Sequence, residues 1–220
     1  MITFIIPTLW KSNQIFKTIE SFEGCLNSDA ELVIIDNSQK GYYHKDPRVT
    51  VVKPKSNIFV NPSWNVGVTL ARNKYICLLN DDISLNVDFL VRRFNTLIQK
   101  DTDFGIIGMD KSNILADTIN SNEDVIELQE TDRRGYGFGC MMILKKENYV
   151  KIPDCFNIYF GDDYLYFYNK DMNQRKIYWI KGLKTPGEIS VTSREYENSH
   201  MQQEYAFWDQ EIQSLINKYK

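Results

Sequence analysis

The sequence predicts an α/β domain built on a mainly parallel sheet flanked by helices. Three observations carry that expectation. Short apolar runs alternate with segments whose apolar residues recur at helical spacing, and the early runs each stop at Pro, Asp or Asn. The chain has 220 residues, 43% hydrophobic and 25% charged, which suits one sizeable folded core rather than a disordered or fibrous protein. Strands that alternate with helices imply parallel pairing through right-handed crossovers.

Taken in order, residues 2–6 form an apolar strand stopped by Pro7, and residues 12–26 place Ile15, Ile19, Phe22 and Leu26 on one helical face. Residues 31–35 predict a second strand ending in Asp36-Asn37-Ser38, and residues 49–52 a third ending in Lys53-Pro54. Asn61-Pro62-Ser63 offers a helix start, and Trp64, Val68 and Ala71 lead to a fourth strand at 76–79. A helix over 86–100 would turn Val87, Leu90, Val91, Phe94, Leu97 and Ile98 inward, with a fifth strand at 104–109.

The layout then changes. Residues 111–134 are more polar and predict a hairpin or loop excursion, followed by Gly135-Tyr-Gly-Phe-Gly139 and an apolar run at 140–144. An aromatic and acidic block at 156–168 precedes a strand at 177–180. Residues 201–220 predict an amphipathic helix carrying Phe207, Trp208, Ile212, Leu215 and Ile216, expected to pack on the core, with dimerisation or contact with a membrane-bound acceptor as the alternatives. The expected organisation is one domain over 1–200, with halves 1–110 and 111–200, and a carboxyl-terminal helix at 201–220.

Composition excludes several functions. No segment approaches the roughly 20 apolar residues that span a bilayer, and residues 1–7 read as a core strand rather than a leader. The expected location is the cytoplasm, with peripheral attachment to a membrane left open. The four cysteines, Cys25, Cys77, Cys140 and Cys155, are widely spaced and lack a CxxC pair, which suits reduced thiols. With only His44 and His200 besides, a structural zinc site is not expected. A formal charge of −3 gives no global attraction to nucleic acid or anionic lipid.

The chemistry is expected where acids follow strands. Lys74-Tyr-Ile-Cys-Leu-Leu-Asn-Asp-Asp82 carries an apolar strand into two adjacent carboxylates, at the strand end where an α/β sheet presents its ligand site. Asn80, Asp81 and Asp82 supply oxygen ligands for a hard divalent cation, Mg2+ or Mn2+. The competing reading is an Asx turn capping the helix that begins near Asn86. Asp36 follows the second strand, and Asp162-Asp163 sit among Phe160, Tyr164 and Tyr166, where mutual repulsion and burial raise a carboxyl pKa. Three such sites together suggest a metal-bound phosphate ester and a general base in one pocket. For Asp162-Asp163 a helix-capping role competes and can coexist. The glycine run at 135–139 is not a GxGxxG fingerprint; it suggests close backbone approach to a ligand, with Arg133 and Arg134 as phosphate or acceptor contacts or as a solvated pair.

Over roughly residues 2–181 the sequence resembles a family 2 glycosyltransferase of the GT-A fold. The likeness rests on Phe4-Ile-Ile-Pro-Thr8, Val33-Ile-Ile-Asp-Asn-Ser38, Asn57, Asn65-Val-Gly67 and Leu78-Leu-Asn-Asp-Asp82 in order, with Gly139-Cys-Met-Met-Ile-Leu-Lys-Lys146 and Tyr159-Phe-Gly-Asp-Asp163 downstream. That resemblance implies a soluble, metal-dependent enzyme moving a hexosyl or pentosyl group from a nucleoside diphosphate sugar, expected to be a UDP-sugar, to an acceptor hydroxyl with inversion. It implies that Pro7, Thr8, Asp36, Asn37, Asn57, Asn65 and Asp81 contact the nucleotide sugar, and that Asp82, with Asp81, holds Mn2+ or Mg2+. Asp163 would be the general base, with Asp162 as the alternative, and His200 the candidate for the late histidine that the family often gives to the metal. Three positions depart from the pattern: Asn80 stands where relatives often carry Asp, Phe59 where many have Gly, and Leu165 where the acidic block often has another Asp.

Other functions stay in view. A noncatalytic nucleotide-sugar binding module would keep the metal carboxylates and lose the base, and the presence of Asp162 and Asp163 favours the enzyme. A nucleotidyltransferase would want a glycine-rich triphosphate loop after the first strand, whereas Pro7-Thr-Leu-Trp-Lys-Ser12 has no glycine. The acceptor class is open. A hydroxylated DNA base would require Arg133, Arg134, Lys145 and Lys146 to form a phosphate-binding face.

Overall fold

The computed structural model describes residues 2–26, 30–99, 103–187 and 199–219. An eight-stranded sheet runs through the chain in the order β3-β2-β1-β4-β7-β5-β8-β6. Its first half is parallel: β1 (Ile2–Thr8) lies between β2 (Ala30–Asp36) and β4 (Tyr75–Leu79), and β3 (Val49–Val52) pairs with the outer side of β2. The register sets Thr8 opposite Asp36, so β1 and β2 finish level at one sheet edge. Every residue of β1, β2 and β4 is buried, which explains why they read as continuous apolar runs rather than as alternating ones.

The second half is mixed. β7 (Met141–Lys145) runs antiparallel between β4 and β5 (Phe104–Gly108), β8 (Lys176–Lys181) is parallel to β5, and β6 (Glu127–Thr131) closes the edge antiparallel to β8. Residues 111–134 are therefore not a self-contained hairpin. They contain a short helix, α4 (Lys111–Ile114), capped by Asp110, and then β6, which pairs with a distant strand. β6 escapes a periodicity reading because Glu-Leu-Gln-Glu-Thr is a mostly exposed edge strand with one buried residue.

Helices cover both faces. α1 (Gln14–Gly24) and α3 (Val87–Ile98) bury Ile15, Ile19, Phe22, Leu90 and Phe94 in one cluster. On the other face, α2 (Val60–Leu70) and α5 (Gly161–Phe167) bury Trp64, Val68 and Leu165. α2 crosses β1 so closely that a Cβ at Gly67 would lie 2.2 Å from Ile5 Cγ2, which accounts for the glycine of the Asn65-Val-Gly67 motif. Leu165 is fully buried, so the Asp expected of the family would here enter the core.

The carboxyl-terminal helix is two helices, α6 (Ser199–Tyr205) and α7 (Trp208–Tyr219). α7 packs Trp208, Ile212 and Leu215 on the α2/α5 face, as its amphipathic spacing predicts. Phe207 sits at the break and is 43% exposed instead of joining that face. Among the described residues no helix is long and apolar enough to cross a membrane.

Candidate active site

The parallel strands deliver their ends to one place. After Leu79 the chain turns, and Asn80 N–H donates to the Cys140 carbonyl at 2.9 Å, tying the acidic turn to the start of antiparallel β7. The Thr8 hydroxyl donates to Asp81 Oδ2 at 2.6 Å, and Asp82 is buried. The first N–H groups of α3 are satisfied elsewhere: Phe89 N–H donates to Asn86 Oδ1 at 3.0 Å and Val87 N–H to the Ser21 hydroxyl at 2.8 Å. The cap near Asn86 thus exists and is made by Asn86 itself, and Asp81 turns to Thr8.

The opposite wall begins at α5. Its capping residue, Phe160, makes no side-chain cap hydrogen bond, and Asp162 and Asp163 lie in the first turn, where the helix dipole favours negative charge. Arg134 reaches across from the loop after β6 and pairs with both carboxylates. Gly139 permits this closeness, since a Cβ there would lie 2.6 Å from Asp162 Oδ2. Burial pushes the Asp163 carboxyl up to about 6; the charge of Asp162 adds to the rise and Arg134 opposes it. A carboxylate poised there is suited to proton transfer near neutral pH.

Cys140 links the two walls. Burial, followed by the charges of Asp82 and Asp162, pushes its thiol up to about 12, so it stays protonated near neutral pH. Between the walls lies a cleft of about 500 Å³, lined by Pro7, Asn80, Asp81 and Asp82 together with Arg134, Tyr136 and Asp162.

Sequence-predicted residues fall into two groups. Pro7, Asp81, Asp82 and Asp162 line the cleft; Thr8 touches Asp81 and Asp163 shares Arg134 with Asp162. Among the described residues the cleft wall does not include Asp36, Asn37, Asn57, Asn65 or His200. Asp36 is fully buried; burial alone would raise its pKa, but the Ser38 hydroxyl and N–H at 2.6 and 3.0 Å and the Gly41 N–H at 3.0 Å hold it lowered. Asn37 accepts from Ile58 N–H at 3.1 Å and donates to the Ser63 hydroxyl at 3.0 Å, fastening β2 to the start of α2.

Asn57 accepts from Phe59 N–H at 2.8 Å, a local Asx turn. Asn65 accepts from the Tyr149 hydroxyl at 2.7 Å and Ile152 N–H at 3.0 Å, joining α2 to the chain leading to α5. His200, on α6, sets its ring 5.9 Å from that of Phe59. Missing from the sequence expectation were Cys140 and Tyr136. The signal that could have found Cys140 is its place at the start of a strand paired antiparallel to β4, which one sequence does not reveal.

Among the described residues no three His, Cys, Asp or Glu side chains form a metal cage. Mg2+ and Mn2+ commonly take one or two carboxylates and complete the shell with water and substrate phosphates. Asn80, Asp81 and Asp82 offer an all-oxygen set of that kind, so the residues present fit such an ion and not a structural zinc.

The sequence matches no known family profile and no curated protein. Its fold, however, superposes on solved glycosyltransferase structures. Residues 1–349 of S. aureus TarS in complex with UDP-GlcNAc align with a TM-score of 0.64 at 13% identity, over 89% of this chain and 61% of that one. The mannosyltransferase PcManGT from Pyrobaculum calidifontis, in complex with GDP-Man and Mn2+, aligns with a TM-score of 0.58 at 14% identity, over 95% of this chain and 64% of that one. The fold is of the GT-A type. This chain spans about three fifths of the length of these neighbours. The cleft of this GT-A domain lies where open α/β sheets bind ligands, outside the carboxyl ends of the parallel strands.

Proposed function

We propose that this GT-A domain is a metal-dependent inverting glycosyltransferase that takes a nucleoside diphosphate sugar as donor. The observation that carries the reading is the meeting, across one cleft, of the Asp81–Asp82 turn after β4 with the Asp162–Asp163 pair at the start of α5. One wall supplies hard oxygen ligands and the other a carboxyl whose proton affinity lies near neutrality.

In this reading Asp82, with Asp81, holds Mn2+ or Mg2+, and Thr8 orients Asp81 through its hydroxyl. When bound, the cation supplies charge stabilisation for the departing diphosphate. Pro7 and Asn80 bound the donor side of the cleft. Asp163 takes the proton from an acceptor hydroxyl as that oxygen bonds to the anomeric carbon and the bond from carbon to the diphosphate oxygen breaks, a single displacement with inversion. Arg134 and Asp162 fix the base; Asp36, Asn37, Asn57 and Asn65 set the loops around the nucleotide from behind.

The solved neighbours hold UDP-GlcNAc and GDP-Man, which makes UDP-sugars and GDP-sugars the first donors to test. The test is a thermal-shift screen of both classes with and without Mn2+, on the wild type and on Asp82→Ala. Free ligand at 100 times its dissociation constant stabilises the protein by about 2.7 kcal/mol. The expected result is a metal-dependent shift that Asp82→Ala abolishes. A cooperative melt that no nucleotide sugar moves under any metal condition would sink the proposal.

A further inference from the structure

The loop that carries Arg134 presents a second side chain to the cleft. It is anchored along its length: Lys170 pairs with Asp132, the Tyr166 hydroxyl donates to the Asp132 carbonyl at 2.8 Å, and Arg134 is held by Asp162 and Asp163. Phe138 ends it, 1% exposed, its ring edge-on to Tyr166 with centroids 5.9 Å apart. Between these fixed points Tyr136 lines the cleft yet is 77% exposed. A large aromatic held in solvent by a tethered loop forgoes the burial that such a ring ordinarily gains.

We propose that Tyr136 is the stacking platform of a saccharide acceptor subsite, so that the hydroxyl presented to Asp163 belongs to a glycan. The inference rests on the transferase reading for the role of Asp163, but the subsite is argued from the loop itself. A pyranose ring has an apolar C–H face and a polar rim; a fixed aromatic ring takes the face while nearby charged groups take the hydroxyls. Tyr136 supplies the ring, and Arg134, Asp162 and Asp163 supply the polar groups beside it. Its place on the loop, two residues from the Arg134 that pairs with Asp162 and Asp163, sets it in the same cleft as the proposed base pair. Charge separates a glycan from the other stacking ligand, a nucleic acid base. Asp81, Asp82 and Asp162 line the cleft, and Asp163 shares Arg134 with Asp162, so carboxylates outnumber the cation of Arg134 there; with a formal charge of −3 on the chain, this repels a phosphodiester backbone and leaves a neutral sugar unaffected.

The experiment titrates the full chain with short neutral oligosaccharides of hexoses and N-acetylhexosamines, and separately with single-stranded oligonucleotides, by saturation-transfer NMR. Each titration is run with and without UDP and Mn2+. The wild type is expected to bind saccharides. Tyr136→Ala should weaken that binding about 10-fold, in line with other aromatic stacking contacts, with an unchanged melting temperature, while Tyr136→Phe and Tyr136→Trp retain it. The proposal is overturned if no saccharide binds in either condition, if Tyr136→Ala binds as the wild type does, if Tyr136→Phe loses as much as Tyr136→Ala, or if oligonucleotides bind and saccharides do not. Because the donor-free titration needs neither metal nor turnover, it remains readable even where the nucleotide-sugar screen fails, and the two failures are told apart.

Discussion

On the β4 wall Asp81 accepts a hydrogen bond from the neutral Thr8 hydroxyl, whereas on the α5 wall Asp162 and Asp163 share the guanidinium of Arg134. A hydroxyl orients a carboxylate and leaves its charge in place; a guanidinium offsets the charge and steadies a carboxyl that burial would otherwise protonate. The first arrangement suits holding a cation and the second suits holding and releasing a proton. Helices α2 and α5, on one face of the sheet, share a feature: each begins after a phenylalanine at positive φ, Phe59 at 64° and Phe160 at 60°. The carboxyl-terminal helices brace both of these turns. The His200 ring lies tilted 5.9 Å from that of Phe59, Tyr205 and Trp208 lie 5.8 and 5.7 Å from Phe160, and Glu204 accepts from the N–H groups of Ile158 and Tyr159 at 3.1 and 2.9 Å.

The largest effect that breaks this contrast is on the proton-holding wall. Asp163→Asn should lower turnover by roughly 100- to 10,000-fold, the usual worth of a positioned base, while metal-dependent stabilisation by the donor survives. Loss of both together would mean that the two walls do not have separate roles. The same substitution carries a stability signature. A carboxyl raised to about 6 contributes stability that is fully present below its ordinary value of 3.8 and is lost as pH rises through about 6. Asp163→Asn, which stays neutral, should therefore gain stability relative to the wild type at pH 8 and not at pH 4, read from denaturant midpoints.

Next in size is the brace. Glu204 is 2% exposed and its pKa is raised by burial, against the backbone N–H groups that hold its charged form. Glu204→Ala leaves those donors buried and unserved, at a cost of about 1–3 kcal/mol in unfolding free energy. Glu204→Gln, which keeps one acceptor oxygen, should cost less. Equal losses would show that the helix packs there without the carboxylate mattering.

A smaller effect sharpens the role of Arg134. Its charge lowers the Asp163 pKa, so Arg134→Gln should move the acid limb of kcat/KM above its wild-type midpoint near 6. Activity should fall at pH 6 and recover toward wild type as pH rises. A uniform loss at every pH would instead assign Arg134 to substrate binding alone.

The parallel half of the fold was legible because β1, β2 and β4 are buried on both faces and punctuated by Pro7, Asp36 and Asn80. The edge strand β6 was not, since its residues answer to a distant partner, β8, and not to a buried face. Within the site, Asp81, Asp82 and Asp162 stand in the cleft because acids after strands and at helix starts leave a local mark. Asn37 and Asn65 engage backbone and hydroxyl partners through their amides, an arrangement fixed by tertiary geometry that one sequence does not show. The glycine run at 135–139 marks this loop as one that approaches a ligand, but it does not single out Tyr136, whose place depends on the anchors around it.

The smallest effect concerns Phe59, the position where glycine was expected. Its φ of 64° and ψ of −170° fall in a region that glycine alone adopts freely, at a cost of about 1–3 kcal/mol for any other residue. Phe59→Gly removes that strain and loses the ring contact with His200, together with about 0.5–1 kcal/mol of unfolded-state entropy. These terms nearly cancel, so Phe59→Gly should lie within about 1 kcal/mol of the wild type, far from the 3–5 kcal/mol typical of removing a core phenylalanine. Phe59→Ala loses the ring and keeps the strain, and should be the less stable of the two in urea titrations. Were alanine the more stable, the positive-φ turn into α2 would not be a strained one, and the likeness between the Phe59 and Phe160 turns would be one of angle only.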